Sequence, residues 1–140
     1  MNDQAGPPLS KPNRGNLAAA LAFALVAAAV VLSPRLAVAG AADVVAAEAS
    51  KAPSGAWTFR VTVRHADEGW DHYADKWQVV GPDGTVLATR VLHHPHVNEQ
   101  PFTRSLSGVK LPAGIESVTV RAGDSVHGFG GHEAVVKLTP

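Results

Sequence analysis

The chain has 140 residues, with 12 Lys/Arg, 12 Asp/Glu, seven His and no Cys, and is formally neutral at pH 7. Without cysteine there is no disulfide framework and no thiolate metal site, so packing alone must stabilise an exported form. From Gly40 onward nine basic residues stand against eleven acidic ones, with no basic stripe to neutralise phosphates, which excludes nucleic-acid binding.

Lys11 and Arg14 precede an unbroken apolar run from Leu17 to Leu32, followed by Ser33-Pro34 and the small-x-small triplet Ala37-Val38-Ala39. This is the layout of a secretory signal peptide. Residues 1–42 are assigned to it, with cleavage after Ala39 and Ala42 as the second choice. A retained membrane anchor is the competing reading, but the sixteen-residue run falls short of the roughly 20 residues a span needs. No cysteine follows the run, which excludes a lipid anchor there. The expected location is periplasmic or secreted, with no membrane association beyond the signal segment.

Residues 43–56, rich in Ala with Lys51, Pro53, Ser54 and Gly55, read as a flexible linker. The folded domain is expected over 57–140. Trp57, Phe59, Val61 and Val63 alternate with Thr58, Arg60, Thr62 and Arg64, a period of two that predicts a half-buried strand. Further strands are expected at Asp75–Val80, Thr85–Leu92, Phe102–Leu111 (bent at Ser107-Gly108), Glu116–Ala122 and Glu133–Thr139. Gly81-Pro82-Asp83-Gly84 and Pro112-Ala113-Gly114 are tight-turn signals. Six to seven short strands without helical periodicity predict an all-β fold, a single antiparallel immunoglobulin-like sandwich. Its core is expected from Trp57, Phe59, Val61, Val63, Trp77, Val79, Leu106, Val118, Val120, Val136 and Leu138.

Strand parity sorts the connections. If each strand crosses the domain once, loops 66–74, 93–101 and 123–131 lie at one end and the two tight turns at the other. All seven histidines (His65, His72, His93, His94, His96, His127 and His132) belong to the first set or its margins. Imidazole is the commonest protein metal ligand, so this one-ended crown predicts a metal site. His94 and His96, two apart in an extended segment, can share a face and present two nitrogens to one ion. Asp67, Asp71, Glu99 and Asp124 are candidate outer carboxylates that orient the imidazoles, Glu99 also as an oxygen ligand. The bland reading makes the imidazoles solvated, Asp67 and Asp71 loop acceptors, and Asp124 and Ser125 turn caps. Ligands of nitrogen and oxygen suit Cu(II) or Zn(II). Ser125 sits in no nucleophile elbow and no catalytic triad is expected, so the chain does not read as an enzyme. Trp70 in a polar loop is expected to plug the sandwich end.

Trp57 to Val63, Trp77 and the stretch Val118-Thr119-Val120-Arg121-Ala122-x-Asp124 resemble immunoglobulin-like and fibronectin-III-like sandwich modules of exported bacterial proteins. Asp71-His72-Tyr73-Ala74-Asp75-Lys76-Trp77 and His94-Pro95-His96-Val97-Asn98-Glu99-Gln100-Pro101-Phe102 are similar to small exported bacterial proteins of unassigned activity. The resemblance covers about residues 57–139, lacks the antibody cysteine pair and implies no catalytic residue. Two functions follow as expectations. One is Cu(II) or Zn(II) handling at the histidine end. The other is a non-catalytic module that docks a protein or cell-surface partner through its loops, Trp70 and Phe129 included.

Overall fold

The computed structural model describes residues 40–139, which are all β with no helix. The signal-peptide reading of residues 1–39 lies outside the described residues. Eight strands follow in order: β1 Asp43–Lys51, β2 Trp57–Arg64, β3 Ala74–Val80, β4 Val86–Val91, β5 Phe102–Val109, β6 Ser117–Asp124, β7 Gly128–Phe129 and β8 Ala134–Lys137. They form two antiparallel sheets. One has the order β1-β2-β5; the other runs β4-β3-β6-β7, with β8 also paired to β6.

Alternation works as expected on β2, where Trp57, Phe59, Val61 and Val63 are buried. Opposite them, Trp77 and Val79 of β3 and Val118, Val120 and Ala122 of β6 close the core. Each such large side chain contributes about 1.5–3 kcal/mol by leaving water. Leu106 and Leu138 are only partly buried, while Leu92, Phe102 and Val109 are core residues. The bend at Ser107-Gly108 is present: Trp57 pairs with Val109 and Phe59 with Leu106, so β5 carries an extra residue there, and Gly108 has φ +72°.

Residues 43–51 are the main correction. They are not a flexible linker but strand β1, paired with β2 from Asp43↔Arg64 to Lys51↔Trp57. The register shifts between Val44 and Ala46, so buried Val44 is followed by inward Ala47 and Ala49. One extra residue flips the parity, and the small alanines give little contrast between faces. Both effects erase the period-two signal. The domain also starts earlier than position 43, because Ala41 and Ala42 are buried.

The strands place loops 65–73, 92–101 and 125–127 at one pole, joined by Gly40–Ala42 leading into β1. The tight connections 52–56, 81–85 and 110–116 lie at the other. At the latter, Gly81 N–H donates to Thr85 O and Gly84 N–H to Gly81 O, and Gly84 takes φ +86° as the turn requires. No helix among the described residues is long and apolar enough to cross a membrane.

Candidate metal centre at the loop pole

His65 stands at the end of the inward row of β2 and is buried. Its ring is fixed from one side by Asp67, whose Oδ1 lies 2.5 Å from His65 Nδ1. That carboxylate also accepts Ala74 N–H at Oδ1 (3.0 Å) and His96 N–H at Oδ2 (2.7 Å). Asp67 therefore ties β2, β3 and the 92–101 loop together. Gln100 adds a second tie, accepting His65 N–H and donating to His96 O.

The other ring nitrogen of His65, Nε2, faces the site. That nitrogen is 2.7 Å from Gly40 O and 3.2 Å from His72 Nε2. His72 Nε2 is 3.1 Å from Asp124 Oδ1. Asp124 closes β6 and is 2% exposed. Its Oδ1 accepts Val126 N–H (2.9 Å) and His127 N–H (2.7 Å) and lies 3.1 Å from His127 Nδ1. Its Oδ2 is buried with no partner. Burial alone would raise the Asp124 pKa, but the N–H groups of His127 and Val126 and the His127 ring outweigh it and hold the carboxyl below its usual range.

His65, His72 and Asp124 thus offer three ligand atoms within 4.8 Å of one another, a group able to hold a metal ion. Bonds of 2.0–2.1 Å to one ion separate adjacent ligand atoms by about 2.9–3.4 Å; two of the three separations, 3.2 and 3.1 Å, fall in that range, and the third is bounded by 4.8 Å. The His65 nitrogen faces a carbonyl oxygen and a second imidazole nitrogen, and Asp124 keeps a buried oxygen with no donor. Such a donor-rich group suits a cation.

The predicted residues divide clearly. His127 borders the group, its ring 5.0 Å from that of His72. Asp67 contacts the His65 ring and accepts two backbone N–H groups, the loop-acceptor role of its other reading. Asp124, expected as an outer carboxylate or turn cap, is both a cap and a member of the group. His93 and His94 are exposed, and His94 Nδ1 meets Pro95 O. His96 is buried and stacked on Phe102, with centroids 3.9 Å apart. The rings of His94 and His96 do lie 4.6 Å apart. Neither belongs to the three-residue group, because residues 92–101 form no strand and period two does not govern them. His132 is exposed and contributes its backbone, donating to Asp43 Oδ1 and accepting from Val44 N–H. Asp71 is exposed, and Glu99 pairs with Arg104 at 3.1 Å. Trp70 does not plug the sandwich: it is 68% exposed and packs edge-on against Tyr73.

Sequence reasoning missed Gly40, whose carbonyl faces His65. The available signal was its position directly after the Ala37-Val38-Ala39 cleavage pattern.

A protein of Halomicrobium mukohataei named "Putative lipoprotein" is 43% identical to this chain over 95 residues. The matched stretch is 68% of this chain and 46% of that protein, so the chain spans about half the length of the curated relative it matches. No family model matches the chain, and no solved structure matches it.

His96 carries a pH prediction of its own. Burial, then the positive charges of Arg104 and His94, lower its pKa below the ordinary 6.5. The unfolded chain therefore takes up a proton near pH 6.5 that the folded chain refuses. The contribution of neutral His96 is complete above that pH and declines as pH falls toward the lowered value. In chelator, the urea midpoint should drop between pH 7.5 and 5.0, and His96→Gln should reduce that drop. Equal drops in both proteins would refute the assignment.

Proposed function

We propose that this chain is an exported sandwich domain that binds a divalent transition metal, Cu(II) or Zn(II), through His65, His72 and Asp124, and serves metal handling rather than catalysis. The observation that carries the reading is the gathering of one ligand atom each from His65, His72 and the buried Asp124 within 4.8 Å of one another, with His72 Nε2 between the other two. Asp67 behind His65 supplies the carboxylate–histidine support common behind metal ligands. Nitrogen and oxygen donors without sulfur favour Cu(II) or Zn(II).

Export is supported by the leader pattern and by the relative named as a lipoprotein. The sequence has no cysteine to carry a lipid. The strand order β1-β2-β5 against β4-β3-β6-β8 supports the fibronectin-III-like reading.

Calorimetric titration with Zn(II) or Cu(II) is the test. The protein should bind one ion, and His72→Ala and Asp124→Asn should each weaken binding by about 100-fold or more, while His94→Ala leaves it unchanged. At an ion concentration 1,000 times the Kd, stability should rise by about 4 kcal/mol. No heat at micromolar metal refutes the proposal.

A second reading draws on Trp70, Val97 and Val126, which are 68%, 54% and 59% exposed in the loops of the same pole. Exposed apolar side chains gathered in this way suit a docking surface for a protein or cell-surface polymer. A partner recovered equally well in chelator, and lost with Trp70→Ala, would favour it.

A further inference from the structure

We propose that the amino group freed by cleavage between Ala39 and Gly40 is itself a ligand of the bound ion, so that export processing completes the site. The inference rests on the metal reading above and names its missing donor.

Gly40 is exposed but borders the cluster. Its carbonyl oxygen is 2.7 Å from His65 Nε2. A Cβ placed on Gly40 would lie 3.0 Å from His127 Cε1 and 3.3 Å from His72 Cε1, so its Cα is wedged between two imidazoles. Its φ of +92° belongs to the region that favours glycine. A side chain here would crowd both rings and strain the uncut backbone.

The residues that follow hold it there. Ala42 is fully buried and Ala41 nearly so. Val44 N–H donates to His132 O and His132 N–H to Asp43 Oδ1, both at 2.8 Å, which pins the start of β1 to the third histidine loop. Cleavage after Ala39 leaves this anchor intact, whereas cleavage after Ala42 would remove buried core.

The chemistry changes at one atom. In the uncut chain the Gly40 nitrogen is a peptide N–H with its lone pair delocalised into the amide. Signal-peptide hydrolysis adds water across Ala39–Gly40, leaving a carboxylate on Ala39 and an amine on Gly40. Once that amine sheds its extra proton to solvent, its nitrogen and the Gly40 carbonyl oxygen can close a five-membered chelate ring on one ion. The donor set becomes three nitrogens (the amine, His65 and His72) and two oxygens (Asp124 and Gly40). Such a set favours tetragonal Cu(II) over tetrahedral Zn(II). The uncut precursor keeps only the weaker side-chain site, so tight binding is deferred until the chain is processed.

The test compares three proteins with Cu(II) alone as the probe. One starts at Gly40, released from a cleavable fusion; one retains Ala39 in front; one starts at Gly40 but is N-acetylated. Residues 40–139 hold both sheets and the whole core, and thermal midpoints in chelator should agree among the three. The Gly40 form should bind at least about 100-fold more tightly. Its electron paramagnetic resonance spectrum should show coupling to three nitrogens, one of which responds to 15N-glycine labelling; the blocked forms should show two. Equal affinities and identical spectra would overturn the amino ligand while leaving the side-chain site standing. Absence of Cu(II) binding by all three would overturn both readings. An intact mass of the exported protein that begins at any residue other than Gly40 would also overturn the inference.

Discussion

Asp67→Ala should cost about 3–5 kcal/mol, enough to unfold a marginally stable domain of this size. The carboxylate is buried and serves three donors from three segments: the His65 ring, Ala74 N–H and His96 N–H. Alanine leaves two buried backbone N–H groups and one ring nitrogen without acceptors, each costing roughly 1–3 kcal/mol. Asp67→Asn should lose less, since one acceptor oxygen survives while its NH2 faces another donor. Urea denaturation at pH 7.5 in chelator measures both. A loss under 1 kcal/mol for the alanine variant would show that the three segments are held by other contacts.

Gly131→Ala should be comparably damaging for a steric reason. A Cβ at this position would fall 1.9 Å from Ala42 O and 2.7 Å from Asp43 Oδ1. The first of these is backbone and cannot swing away. The start of β1 would have to lift off, breaking the bonds from Val44 N–H to His132 O and from His132 N–H to Asp43 Oδ1. Overpacking together with two lost hydrogen bonds costs about 3 kcal/mol or more. Gly55→Ala is the control: nothing lies within 4 Å of its Cβ, so only its φ of +88° penalises it, by about 1–2 kcal/mol. Amide exchange should localise the Gly131→Ala damage to residues 41–46. Equal thermal midpoints for the two variants would contradict the close approach.

How much of this could be read beforehand differs from element to element. Strands β2, β3 and β6 were legible because their large apolar residues alternate, as in Trp57 to Val63, and β4 and β5 because tight-turn signals and prolines bound them. Strand β1 was not, because a register shift after Val44 and a run of alanines remove the contrast on which alternation depends. The two-residue β7 is too short to carry a period at all. Parity still sorted the loops, since a strand added in front leaves the grouping of later connections unchanged; His65, His72 and His127 accordingly meet at one pole. Within that pole, side-chain direction was not legible. His96 turns onto Phe102, and Trp70 is left in the open against Tyr73, because irregular loops obey local hydrogen bonds rather than a repeat. Asp124 appeared as a turn cap, which it is. Its second role follows from β6 ending beside His72, a long-range fact.

Strand β8 runs away from the histidines, and Leu138 N–H closes onto Glu116 O at the opposite tip. A point of attachment to a resin or sensor chip just after Leu138 therefore lies away from the metal pole. Handles added to the front would cover the region of interest, and an oligohistidine tag anywhere would compete for the very ions being measured.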